Sequence, residues 1–243
     1  MLKRKSFFLV AFITVLVPSI AYGQFGFPSP SLNIITNAVG NEAFARSVVN
    51  GVSSEPDESQ PVRAPDVRSL VFKPSLAQRK TNLANFVAKS RAQNQAGGDQ
   101  LEAMFASTDI IAAIGKSLVL YGLRTDNMAD AYTVYWLSAW LAANGRIEDN
   151  SRAQAQAIKR QAANALLAVP AVAAAGNAEK QEFAEAMLIQ AAMIDSSMQQ
   201  AKGNPKQLAA IAKAVRQGAK ASGLDLDAMN LTEDGFVATN QGE

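Results

Sequence analysis

Between Met128 and Ala142 the chain carries Met128, Ala129, Ala131, Tyr132, Val134, Tyr135, Trp136, Leu137, Ala139, Trp140, Leu141 and Ala142. On a helix these side chains cover nearly the whole circumference. A helix apolar on every side has to be wrapped by others, so this segment predicts a central helix with amphipathic neighbours around it.

The neighbours announce themselves by their caps. Ser75 after Pro74 starts a stretch running to about Gln93, with Leu76, Leu83, Phe86 and Val87 on one face. Gly97-Gly98 reads as its break and Asp99 as the next cap. The segment that follows carries Leu101, Met104, Phe105, Ile110, Ile111, Ile114, Leu118 and Val119 as far as Gly122, with a division at Ser107 to Asp109. Asp126 reads as the cap of the central helix, which stops at Asn144-Gly145. Asn150 or Ser151 opens an Ala-rich helix that Pro170 closes. A fifth helix runs from near Asn177 to about Lys202, with Phe183, Met187, Ala191, Ile194 and Met198 at steps of three and four. Asn204-Pro205, a cap followed by Pro at the first helical position, opens a sixth that closes at Gly223.

Alternating β-branched runs and Asn-Gly turns are nearly absent. The expected fold is therefore all-α: a bundle of about six amphipathic helices around a central aromatic-rich helix. Leu224, Leu226, Met229, Leu231 and Phe236 are expected to pack back onto it.

The front of the chain reads differently. Lys3, Arg4 and Lys5 precede an apolar run from Phe7 to Val17, and Ala21-Tyr22-Gly23 places small residues before a cut ahead of Gln24. Residues 1–23 are expected to be a signal peptide, with retention as an N-terminal anchor the alternative. The run falls short of the roughly 20 residues that a spanning helix requires. Residues 24–70 read as a poorly ordered tail, although Leu32 to Val52 has spacing suited to a short docking helix. Residues 71–243 form the single helical domain. Periplasmic or secreted location follows, without stable membrane insertion once the signal is removed.

Charge and residue usage prune the chemistry. Without Lys3, Arg4 and Lys5, the 23 basic residues become 20 against 21 acidic ones, a net charge near −1. That leaves no broad positive field for nucleic acid. The chain has no Cys and no His. Imidazole- and thiol-based nucleophilic devices are excluded, as are zinc sites of the nitrogen and sulfur kind and His- or Cys-ligated haem or iron–sulfur clusters. Carboxylate chemistry, a Ser–Lys pair or an oxygen-ligated cation remain. No Ser-x-x-Lys occurs. Asp225, Asp227, Asn230, Glu233 and Asp234 do not follow the calcium-loop spacing, because Asn230 and Phe236 stand where Gly and Glu are needed. No metal and no cofactor is expected.

Tyr132, Trp136 and Trp140, at steps of four, form either a core stripe or the aromatic wall of a ligand pocket. Asp130 lies among apolar neighbours, so its charge needs a partner, for which Arg79 or Arg124 is suited. Asp126 is expected to cap rather than react. Glu179, Glu182 and Glu185 recur every three residues and read as a solvated face. Lys206, Lys213, Arg216 and Lys220 read as the exposed side of the sixth helix. The candidate binding residues are thus Tyr132, Trp136, Trp140, Asp130 and Arg79, with no catalytic residue named.

Phe72-Lys73-Pro74-Ser75 with Arg79 and Asn82 to Val87, Asn127 to Ala131 ahead of Trp136 and Trp140, and Gly223 to Leu226 ahead of Leu231 to Phe236 resemble one family. It is a family of bacterial exported all-α proteins known only as a domain of unknown function. The resemblance covers roughly Phe72 to Val237. It implies an exported helical domain and carries over no functional residue. The expected role is a non-enzymatic binding module of the cell envelope, its partner an envelope protein or a small ligand. The alternatives are a small-ligand carrier with an aromatic pocket, or a carboxylate-dependent glycan hydrolase using Asp130 with Asp126 or Asp109.

Overall fold

The computed structural model describes residues 66–239. The expected signal peptide, the expected docking segment at Leu32 to Val52 and most of the expected tail lie outside the described residues. Val67–Leu70, read as the end of that tail, forms a 3-10 turn capped by Asp66, and Leu70 is wholly buried.

Eight α-helices follow. They are α1 (Leu76–Gln93), α2 (Gln95–Ser107), α3 (Ile110–Leu118), α4 (Met128–Ala143), α5 (Arg152–Leu167), α6 (Pro170–Ala174), α7 (Asn177–Gln200) and α8 (Pro205–Ala221). All sixteen residues of α4 are buried. It packs most extensively on α7, then on α5 and α8, while α1 pairs with α2 and rests on α7. The chain is an all-α bundle about a central aromatic helix, as its periodicity predicts. Among the described residues no single helix is long and apolar enough to cross a membrane.

Three boundaries differ from expectation, each for a local reason. Gly97 and Gly98 do not break a helix: Asn94 caps α2 by accepting the Gly97 amide, and both glycines lie inside it. A Cβ on Gly98 would stand 2.6 Å from the Arg91 Cβ, so glycine here permits the close α1–α2 approach. Asn127, not Asp126, caps α4, accepting the Ala129 and Asp130 amides. Pro170 does more than stop α5; it opens the short α6 at the position where its missing N–H costs nothing. Ser75, Ser151 and Asn204 cap as their positions suggest, Ser151 forms a reciprocal box with Gln154, and at the division expected around Ser107 to Asp109 it is Asp109 that caps α3.

The C-terminal segment holds the only strands among the described residues, and the sequence did not announce them. After a 3-10 turn at Leu226–Ala228, β1 (Met229–Thr232) and β2 (Gly235–Ala238) form an antiparallel hairpin, with Met229 opposite Ala238 and Thr232 opposite Gly235. Its inner residues enter the core: Met229 and Phe236 are buried beside Leu224 and Leu226, and Leu231 is half-buried against them. Gly235, at φ +106°, makes the turn that most side chains would resist.

Candidate functional site

The five residues singled out from sequence do not converge. Tyr132, Trp136 and Trp140 are buried inside the bundle. Phe236 stacks on Trp136 with ring centroids 4.7 Å apart, and Phe183 lies 6.3 Å from Tyr132. The Trp136 indole donates to the Met229 sulfur and the Trp140 indole to the Met229 carbonyl, both at 3.0 Å. The indoles thereby fasten the hairpin to α4. The aromatic ladder is a filled core stripe.

Asp130 is fully buried, and its partner is neither Arg79 nor the Arg124 side chain. Lys159 of α5 reaches its Oδ1 at 2.6 Å, and the Arg124 backbone amide donates to Oδ2 at 2.9 Å. Burial pushes this carboxyl up from the ordinary aspartate range, only partly offset by Lys159 and the Arg124 amide. Asp126 instead accepts from the Arg124 guanidinium at 2.7 Å.

Arg79 joins a second network. Its Nε donates to Glu185 at 2.9 Å and its Nη1 to Asp109 at 3.2 Å. Glu185, expected on a solvated face, is buried, because this turn of α7 faces α1. Asn82 at 2.7 Å and Gln181 at 3.0 Å donate to the same carboxylate. Gln181 also brackets Ser75, accepting its amide and donating to its carbonyl, each at 2.8 Å. Every member is satisfied, so the cluster locks α1 to α7 rather than offering a reactive group. The three acids considered for glycan hydrolysis are thus engaged separately: Asp109 caps α3 and takes Arg79, Asp126 takes Arg124, and Asp130 takes Lys159. Among the described residues no group of three acidic side chains is placed to hold a metal ion.

A pocket of about 90 Å³ lies elsewhere. Val134, Leu137, Ser138 and Leu141 recur at three- and four-residue steps and so share one face of α4. Asp195, Met198 and Gln199 share the opposing face of α7. The two faces part beside the loop that joins α4 to α5, and the gap between them is the pocket. Tyr121 and Leu118 form a side wall, and the exposed Arg146, Glu148 and Asp149 stand at its mouth.

Asp195 is half-buried in this wall and accepts from the Ser138 hydroxyl. Burial pushes its carboxyl up to about 7, against that hydrogen bond. The Tyr121 phenol is likewise raised, by burial first and then by the nearby Asp149 and Asp195 carboxylates. Arg146 is already engaged: it pairs with Glu148, and its guanidinium lies 5.0 Å from the Trp140 ring centroid. Sequence reasoning passed over Asp195. The signal was there, since an acid at four residues from Ala191 and three from Met198 flanks the apolar stripe of α7.

No curated protein and no solved structure matches the chain. One family does, and its match runs well ahead of Phe72, where the helical phrases begin, taking in the front of the chain. The chain belongs to the family of unknown function DUF6683, which matches it over residues 2–239.

Proposed function

We propose that the protein is a binding module of the cell envelope that receives a small organic group in the pocket between α4 and α7. The pocket itself carries this reading. It combines an apolar floor from Val134, Leu137 and Leu141 with one half-buried acid, Asp195, and a polar mouth, the composition common to small-ligand sites. By proportion to a cavity of about 150 Å³ that takes benzene, its size suits roughly four heavy atoms. That is a small ligand or the end of one side chain. The envelope location rests on the cationic start, apolar run and small-residue cut site of residues 1–23.

The test is a nuclear magnetic resonance screen of small organic compounds against the full chain. Ligands are expected to shift the amide signals of Leu137, Ser138, Leu141, Asp195 and Met198. Ile147→Trp, which places a large ring at the half-buried loop position lining the pocket, is expected to abolish those shifts without changing the rest of the spectrum. Shifts that persist unchanged in Ile147→Trp, or a screen without any pocket-centred response, would sink the proposal.

A further inference from the structure

We infer that the group bound in this pocket is a primary alkylammonium, its hydrocarbon against the α4 floor and its cation at Asp195 and the acidic mouth. The inference rests on the reading of the pocket as a ligand site and adds the chemistry of the ligand.

The argument is one of charge. The charged side chains lining the pocket are Arg146 from the loop, against Glu148 and Asp149 from the same loop and Asp195 from α7. Arg146 is matched by Glu148 and held over Trp140. Among the described residues, no basic side chain forms an ion pair with Asp149 or Asp195. Two carboxylates therefore face the pocket without a cation, and one is half-buried, where an unpaired charge is costly. A cationic head would relieve that cost, and an anionic one would add to it. The size points the same way. A chain of three or four methylenes fills the apolar part and carries its ammonium outward to the acids.

Asp195 also predicts how such binding responds to pH. Of the groups around it, Tyr121 and Ser138 are hydroxyls, and Arg146, Glu148 and Asp149 stand at the mouth. Its own carboxyl, pushed up to about 7 by burial, holds a proton below that pH that an ammonium group has to displace. Affinity should therefore fall as pH drops through 7, by about tenfold between pH 8 and pH 6.

The experiment titrates the full chain with n-butylammonium, n-butanol and n-butyrate, following the pocket amides. n-Butylammonium is expected to bind at least about tenfold more tightly than n-butanol at pH 8, and n-butyrate not at all. Asp195→Asn should leave n-butanol binding nearly unchanged while losing the pH dependence and most of the preference for the cation, the remainder resting on Asp149. Nα-Acetyl-lysine N-methylamide separates the sources of the same chemistry. Its binding assigns the pocket to a lysine side chain of a polypeptide, and binding of n-butylammonium alone assigns it to a free amine. If n-butanol or n-butyrate binds as well as the ammonium, or the wild-type pH profile is flat, the inference is overturned and the pocket reading stands. If none of the compounds shifts a pocket amide, the inference fails, and the pocket reading fails with it only where the wider compound screen is silent as well.

Discussion

Asp130 and Asp195 are aspartates facing α-helical neighbours, and the structure treats them differently. Asp130 is fully enclosed and has a lysine, a backbone amide and nothing reactive beside it. Asp195 is half-buried, has one hydroxyl donor and opens on a pocket. Removing Asp130 strands the Lys159 charge and the Arg124 amide. Asp130→Ala is therefore expected to cost about 3 kcal/mol in a denaturant titration at pH 7. Asp130→Asn, which retains an acceptor for the Arg124 amide, should cost less. The pH dependence follows from the direction of the shift. A carboxyl raised on folding holds its proton more tightly in the folded state, so its contribution is most favourable in acid and declines as pH rises through the folded value. Replacing Asp130 should accordingly penalise the protein more at low pH than at high. An unchanged melting temperature in Asp130→Ala would show that the ion pair is not structural.

At the level of elements, capping and close approach decide where helices begin and how near they come. Asn127 outcompetes Asp126 as the α4 cap because the Asp126 carboxylate is held by Arg124, while its carbonyl accepts the Phe72 amide at 3.1 Å. Gly98 is the clearer case. Replacing a helix-interior glycine with alanine normally gains about 1 kcal/mol. Here the added methyl would meet the Arg91 backbone at 2.7 to 2.8 Å, which a flexible side chain could not relieve by moving aside. Gly98→Ala is expected to destabilise by about 1–3 kcal/mol as α1 and α2 are forced apart. A gain in melting temperature would show that the pair packs more loosely than described. The glycine pair looked like a helix break because propensity is a local quantity, and the Arg91 backbone that requires glycine belongs to another helix.

At the scale of the whole molecule, the C-terminal hairpin closes over the aromatic face of α4. Phe236 is fully buried on Trp136, and Met229 takes both indole N–H groups. Gln161 of α5 secures the second strand, donating to the Phe236 carbonyl at 2.6 Å and accepting its amide at 2.9 Å. Phe236→Ala is expected to cost about 3–5 kcal/mol and to shift tryptophan emission as Trp136 loses its cover. Emission and stability that both stay unchanged would place the hairpin outside the core. The hairpin is hard to read from the sequence because its strands are four residues each, and the pair Asp234-Gly235, although of hairpin type, is not flanked by long alternating runs. Its burial was nevertheless foreseeable from Leu224, Leu226, Met229 and Phe236. The sequence by itself determined the helices, most of their caps, the central position of α4 and the exclusion of imidazole and thiol chemistry, because periodicity, capping and residue inventory are read along the chain. Only the tertiary structure decided that Lys159 meets Asp130, that Glu185 turns inward to Arg79, and that α4 and α7 part around Asp195. Each of these depends on which face of one helix meets which face of another, and no single segment encodes that.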